Sequence, residues 1–453
     1  MKTIVPEIDE IVNFYSAEFI EQIARETGFV QRESKLGGME FLALMTQGLY
    51  AQPDATLNQM CGILKDIKPE LEISGSGLQQ RIVGSGIEFL MEMLSEALKL
   101  SVGKLLDESI PELLGVFEKV LLLDSTQVSL PEKLASIWAG SGGSASKAGL
   151  KLQLMLDYKS GKYEGVTIDD GISADQSYIK EAVKLIGQGE LVIYDLGYFD
   201  QNSMIDIGER GAYFLSRFNH RSNLYMGMED GTWEKFQLEK ELKKASRKGL
   251  SSCEFDVWLL KDGRYLKVRL VAERVPENVA NERRRKARKT ARKKGRQPTK
   301  KHLYLMSWSL YITNAEREKL PTGVVSLMYR LRWYIELVFK SWKSYHGLAE
   351  VRGEREERIE CFIYGRLIMI VIMTFLFGSI RRHLWATRGR EASLLKVVRH
   401  FQTKAYKALS VIMDSESLAS FLFTEFLEAC RLCMMDSRKR PTTAQKLRMA
   451  KAA

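Results

Sequence analysis

Two apolar runs, each ending in an aspartate, limit most sharply what this chain can fold into. FEKVLLLDSTQVSL sets four hydrophobic residues directly before Asp124, and LVIYDLGYF sets four before Asp195. A run without polar alternation reads as a strand buried on both faces, which requires a sheet covered by helices. Pro131 stops the first run. LKLQLMLDYKSGKYEGVTIDDG then reads as a hairpin turning at Lys159–Lys162. Helices are expected over Asp175–Ile186 and Gln201–Glu209, with AYFLSRF as a further strand.

Three neighbouring antiparallel strands followed by helix, strand, helix, strand make a mixed α/β sheet of the ribonuclease-H-like type. A helical part, residues 1–112, precedes this core, whose first part is 113–218. A β-rich insertion, 219–320, interrupts it, with short strand-like pieces such as CEFDVWLLKDGRYLKVRLVAERV and LYLMSWSLYITN. The segment 321–352 is expected to be helical and to complete the core. C-terminal helices follow over 353–453, at about 355–385, 391–410 and 414–435, and the basic tail from Ser437 is expected to fray. In the N-terminal part, TLNQMCGILKD, a break at Lys68–Ser76 and a helix from about Ser76 suit a helix-turn-helix reader. There Gln79, Gln80 and Arg81 would face DNA. An ordinary helical bundle fits the same pattern.

Charge is concentrated in one place. The 453 residues carry a formal charge of +11. Twelve lysines and arginines, and no acid, lie between Arg283 and Lys301; without them the remainder carries −1. Such a block reads as a phosphate-binding arm or as a solvated loop. Five scattered cysteines give no disulfide framework, and the lone C-x-x-C of Cys430 and Cys433 lacks the further ligands of a zinc site. The N-terminus has no signal-peptide pattern. Leu367–Ile380 is the longest apolar run; it is short for a membrane span and closely flanked by arginines, so a buried core helix is expected.

The chemistry is expected where the acids stand. In α/β sheets, sites form beyond the carboxyl ends of strands, so Asp124 and Asp195 can reach one point if their strands are neighbours. Clustered carboxylates hold hard divalent cations, as phosphoryl transfer through two metal ions requires. Each aspartate alone also reads as a strand-end cap. MYRLRWYIELVFKSWKSYHGL adds Tyr329, Arg332, Glu336 and Lys343 at steps of three, four and seven, one face of a helix. There an acid can hold a metal while the cations and the phenol grip a phosphate. An amphipathic helix with internal ion pairs gives the same stripe.

These residues in this order resemble the bacterial insertion-sequence transposases of the DDE type that carry the Tyr-Arg-Glu-Lys signature. The resemblance covers about Phe117–Tyr345 and extends less clearly through the N-terminal helices. Asp124 matches the family's first acid with Ser125 and Thr126 in its DST context, Asp195 the second with Gly197 and Tyr198, and Glu336 the third. Tyr329, Arg332 and Lys343 match the positions that hold the DNA-end phosphate. Trp308 resembles a tryptophan that stacks on a base flipped out of the duplex. Trp333 follows Arg332 as in the signature, and reads equally as core. Lys147, Lys151 and Arg217 are candidate DNA contacts, or surface charge.

The resemblance implies two Mg²⁺ or Mn²⁺ ions held by Asp124, Asp195 and Glu336, and cleavage that frees a 3′-hydroxyl through a hairpin intermediate. Strand transfer into target DNA would follow. It implies terminal inverted repeats and target DNA as partners, a homodimer holding two ends, no membrane, and a cytoplasmic, nucleoid-associated location in a bacterium. A nuclease that does not join ends, and a non-catalytic DNA-binding derivative, are the alternatives.

Overall fold

The computed structural model describes residues 6–32, 35–100, 111–142, 146–228, 231–350, 353–436 and 441–450. Ten strands form one mixed sheet: β1 (Val120–Leu130), β2 (Ala148–Asp157), β3 (Tyr163–Asp170), β4 (Leu191–Tyr194), β5 (Tyr213–Arg217), β6 (Tyr225–Gly227), β7 (Trp233–Lys235), β8 (Ser252–Lys261), β9 (Arg264–Arg274) and β10 (Trp308–Thr313). Their order is β3-β2-β1-β4-β5-β10-β9-β8-β6-β7. The antiparallel β2–β3 hairpin and the parallel β1–β4–β5 run form the expected ribonuclease-H-like frame. Two compact units divide the chain: 1–110, 125–173 and 334–440 in the first, and 111–124, 174–333 and 441–453 in the second.

The first unit is built around the helix Glu356–Arg388. It is long and apolar enough to cross a membrane, yet 89% of its apolar window is buried within the protein, as a core helix requires. Its backbone comes very close to a π-helical turn, Leu44–Gly48. A Cβ at Gly365 would lie 2.4 Å from the Met45 carbonyl oxygen, so only glycine fits there. The β2–β3 turn is set by Asp157, whose carboxylate accepts from the Lys159 N–H at 3.1 Å and the Ser160 hydroxyl at 2.6 Å. Such side-chain-to-backbone bonding is why aspartate favours turns.

The reader helices occupy Leu57–Ile67 and Gly75–Arg81. Two of the three expected contacts, Gln79 and Arg81, are engaged within the protein instead of facing outward. Arg81 lies 4.2 Å over the Phe29 ring and donates to the Phe29 carbonyl at 2.8 Å, and Gln79 accepts from Arg358 Nε at 2.8 Å. Gln80 is the exposed member of the three. The cation–π contact and the carbonyl bond tie the Arg81 guanidinium to its own unit.

In the second unit, β10 pairs antiparallel with both β5 and β9, so the insertion's strands continue the core sheet. A buried ion pair stitches them: Arg269, 4% exposed, meets Glu254 at 2.7 Å and donates to the Ala315 and Leu320 carbonyls at 2.8 Å each. The insertion is less β-rich than its sequence suggests. Helices Leu238–Arg247, Glu277–Lys293 and Lys300–Leu305 lie within it, and most of the basic arm is helical. Two of the arm's cations serve the fold. Arg283 donates to the Trp308 carbonyl at 3.3 Å, and Arg284 to the Leu303 carbonyl at 3.3 Å. Nor does the whole C-terminal tail fray. Ser437–Arg440 lie outside the described residues, but Thr443–Met449 is a helix with a Thr442 capping box and a fully buried Leu447.

Candidate active site

The aspartates are aligned by strand register. Val120 pairs with Leu191 and Leu123 with Tyr194 in parallel, so Asp124 and Asp195 are the next residues on neighbouring strands. Adjacent strands lie roughly 4.8 Å apart. The four residues before each acid are buried and the acids themselves are half-buried; past Asp124, β1 runs on with alternating burial, Thr126, Val128 and Leu130 facing in. The sheet's apolar interior therefore anchors the strands and sets two carboxylates at one level, where the β1–β4 pairing ends. Asp195 also caps the 3₁₀ turn Leu196–Tyr198, its Oδ1 accepting from the Gly197 N–H at 2.7 Å. A Cβ at Gly197 would meet both Asp195 Oδ1 and Asp175 Oδ2 at 3.0 Å. Asp175 is thus a further carboxylate beside the pair. The sequence hid it, because an acid in a helix's first turn reads as a dipole partner.

A guanidinium and a phenol face these acids from the signature segment. Arg332 Nη1 donates to Asp124 Oδ2 at 2.8 Å, with both side chains mostly buried. The segment is not one straight helix: Val325–Tyr329 is α-helical, Arg330–Arg332 is a 3₁₀ turn, and Trp333–Tyr345 is α-helical again. In a 3₁₀ turn, residues three apart eclipse. Tyr329 and Arg332 are three apart and within hydrogen-bonding reach. Burial raises the Tyr329 phenol's pKa; the Arg332 and Arg217 charges oppose this, and the Asp195 carboxylate adds to it. Arg217 lies 5.7 Å over the Tyr311 ring, and the Tyr311 and Tyr329 rings are 5.3 Å apart. Asp124, Asp195, Arg217, Tyr329 and Arg332 therefore form one interacting set within the second unit.

Glu336 and Lys343 follow on the helix Trp333–Tyr345. That helix buries Ile335, Val338, Phe339 and Trp342, with Tyr334 edge-on to Tyr158 at 5.2 Å and Trp342 edge-on to Tyr163 at 5.8 Å. Glu336 is on its exposed side, while burial depresses the pKa of the half-buried Lys343 ammonium. Trp333 is 58% exposed, so it is not a core residue.

Two of the expected DNA contacts, Trp308 and Lys151, sit differently. Trp308 is 3% exposed and begins β10, so its indole presents no open face for a base. Lys151 is buried in β2 and donates to the Ser173 carbonyl, an internal role. Lys147 is exposed beside the start of β2. The donor set of Asp124 and Asp195 is hard oxygen from carboxylates, which suits a divalent cation such as Mg²⁺. Cys430 and Cys433 are both buried, and burial pushes the Cys430 thiol up to about 11, away from the thiolate that zinc requires.

Parallel strands that set two acids level, Asp124 within β1 and Asp195 just past β4, in a mixed sheet of this order, place the chain in the ribonuclease-H-like class of protein. The chain belongs to the transposase DDE domain family, whose model matches residues 116–372. It is 30% identical to the transposase for insertion sequence element IS231B of Bacillus thuringiensis subsp. berliner, over 90% of this chain and 85% of that one. It is 27% identical to the transposase for insertion sequence element IS1151 of Clostridium perfringens, over 83% and 81% respectively. Among solved structures, a piggyBac transposase synaptic complex with hairpin DNA aligns over 96% of this chain and 86% of its own, at 9% identity and a TM-score of 0.46. The chain is thus an insertion-sequence transposase, an enzyme acting on DNA.

Proposed function

We propose that Asp124, Asp195 and Glu336 are the catalytic acids of a cut-and-paste reaction at the element's ends. The observation that carries this reading is the parallel register that levels Asp124 with Asp195, together with the Arg332–Asp124 ion pair and Tyr329 beside them. The three acids would hold two divalent cations, Mg²⁺ or Mn²⁺, which supply charge neutralisation at the phosphate and activation of the attacking oxygen. Around them, Arg332, Lys343 and Tyr329 hold the DNA-end phosphate. Arg332 suits a phosphate because its planar fork donates two parallel bonds. A phosphate beside Lys343 would favour the charged ammonium that burial disfavours.

In the proposed sequence, water cleaves the phosphodiester at the element's end and the 3′-oxygen leaves as a hydroxyl. That hydroxyl attacks a phosphodiester of the opposite strand, closing a hairpin and expelling the flanking strand's 3′-hydroxyl; water reopens the hairpin, and the freed 3′-hydroxyl attacks a target phosphodiester, expelling a target 3′-hydroxyl as it joins. The N-terminal helices, with Gln80 exposed on Gly75–Arg81, are proposed to bind the terminal repeats. A homodimer holding two ends in the bacterial cytoplasm, at the nucleoid, completes the reading. A pre-cut duplex ending in a 3′-hydroxyl tests it against a plain nuclease. Covalent joining of that end to a plasmid is the expected result, and hydrolysis without joining would overturn the transposition mechanism.

A further inference from the structure

The insertion contains a cleft of about 1180 Å³ that no step above uses. One wall is the helix Leu238–Arg247; the other is the end of the arm helix Glu277–Lys293 and the chain leading into Lys300–Leu305. Steps of three, four and seven place Lys240, Lys243 and Arg247 on one face of the first helix. Across from them stand Lys294, Arg296 and Lys301. The arm helix turns the small side chains of Ala287, Thr290 and Ala291 toward the cleft, which leaves it open.

The charge there is uncompensated. Glu239 is the acid in the lining, and it is held by Lys243 at 2.7 Å. Among the described residues, no carboxylate pairs with Lys240, Arg247, Lys294, Arg296 or Lys301. The lining also includes His220 and His302, whose Nε2 and Nδ1 are 3.1 Å apart. The cleft continues from the acidic centre along the chain. β5 ends at Arg217, whose charge reaches Tyr329, and the next residues, Phe218 and His220, already line the cleft.

We infer that this cleft is a second DNA-binding site, which takes the sugar–phosphate backbone of a strand running on from the reacting end. The inference rests on the DNA-acting role proposed above. An array of unpaired cations along an open groove is what a polyanion's backbone needs, and each neutralised phosphate releases counterions. Three cations of the basic block, Lys294, Arg296 and Lys301, therefore stand on one wall of a cleft, and the other wall is a helix whose own acids conceal it in a charge count.

The test uses the full chain carrying Asp124→Asn, so that DNA is bound but not cut. Its affinity for a labelled oligonucleotide is measured against salt by fluorescence anisotropy. The same is done after adding Lys240→Gln, Arg247→Gln and Lys301→Gln. Losing three phosphate contacts should flatten the log–log salt slope by about 2 on a single strand and nearer 3 on a duplex. A variant with Lys240→Arg, Arg247→Lys and Lys301→Arg should restore the slope, which a merely misfolded cleft would not predict. An unchanged slope in a variant whose parent binds DNA would overturn the cleft site alone. A parent that binds no DNA at all would overturn the functional reading on which it rests.

Discussion

Arg332 carries two jobs at the residue scale: it neutralises Asp124 at 2.8 Å and, one 3₁₀ turn on from Tyr329, bonds toward that phenol. Lysine keeps the charge but loses the fork, so Arg332→Lys is not conservative here. Cleavage should fall by about 10²–10³ in kcat, on the scale of losing one preorganised donor. A single-turnover assay at saturating DNA reads it; near-parental cleavage would mean that the guanidinium only balances charge. His346 gives a second prediction. It is 2% exposed, stacks on Tyr50 at 4.9 Å, and burial pulls its pKa down to about 3. The unfolded chain then binds a proton that the folded one refuses, so stability is full above pH 6.5 and falls with acidification toward 3. The slope is about 1.4 kcal/mol per pH unit. His346→Phe keeps the ring and should flatten that part of the profile between pH 6 and 4.5 in urea titrations. Parallel profiles for the two proteins would contradict the assignment.

Among the elements, the strands were the most legible in the sequence. VLLL and LVIY are apolar without alternation because both faces of β1 and β4 are buried there; the first polar residue ends β4, and in β1 it marks the change to alternating burial. Gln201–Glu209 was likewise readable as a helix from its pattern. What escaped was set by partners distant in sequence. Trp308 reads as a surface stacker until β9 and β5 close on either side of β10. Arg81 reads as a groove contact until Phe29 lies beneath it. The 3₁₀ turn at Arg330–Arg332 leaves the three-and-four spacing intact while changing the angle that each residue turns through. The core helix offers a direct check of packing at this scale. Gly365→Ala would push a methyl onto the Met45 carbonyl, and overpacking of that kind costs about 1–3 kcal/mol. Chemical denaturation should register the loss, and unchanged stability would show that the π-helical turn yields without cost.

For the whole molecule, chain order matters more than any single contact. The two aspartates come from strands that enclose a hairpin and a helix, and the third acid arrives after a long insertion whose strands extend the same sheet. The net +11 charge says less than its placement. Arg283 and Arg284 are spent on holding the insertion together, while other cations line an open cleft. The sequence made the DDE signature readable because acids with fixed local contexts recur in order; it could not reveal Asp175, which only folding brings beside Asp195. The central claim is that Asp124, Asp195 and Glu336 act together on a phosphodiester. The most direct measurement is cleavage of a labelled duplex bearing the element's own ends, with Mg²⁺, by the parent and by Glu336→Gln. Nicked and hairpin products from the parent, absent with a variant that still binds the ends, are the predicted result. Cleavage that survives Glu336→Gln would contradict the account and put the chemistry elsewhere.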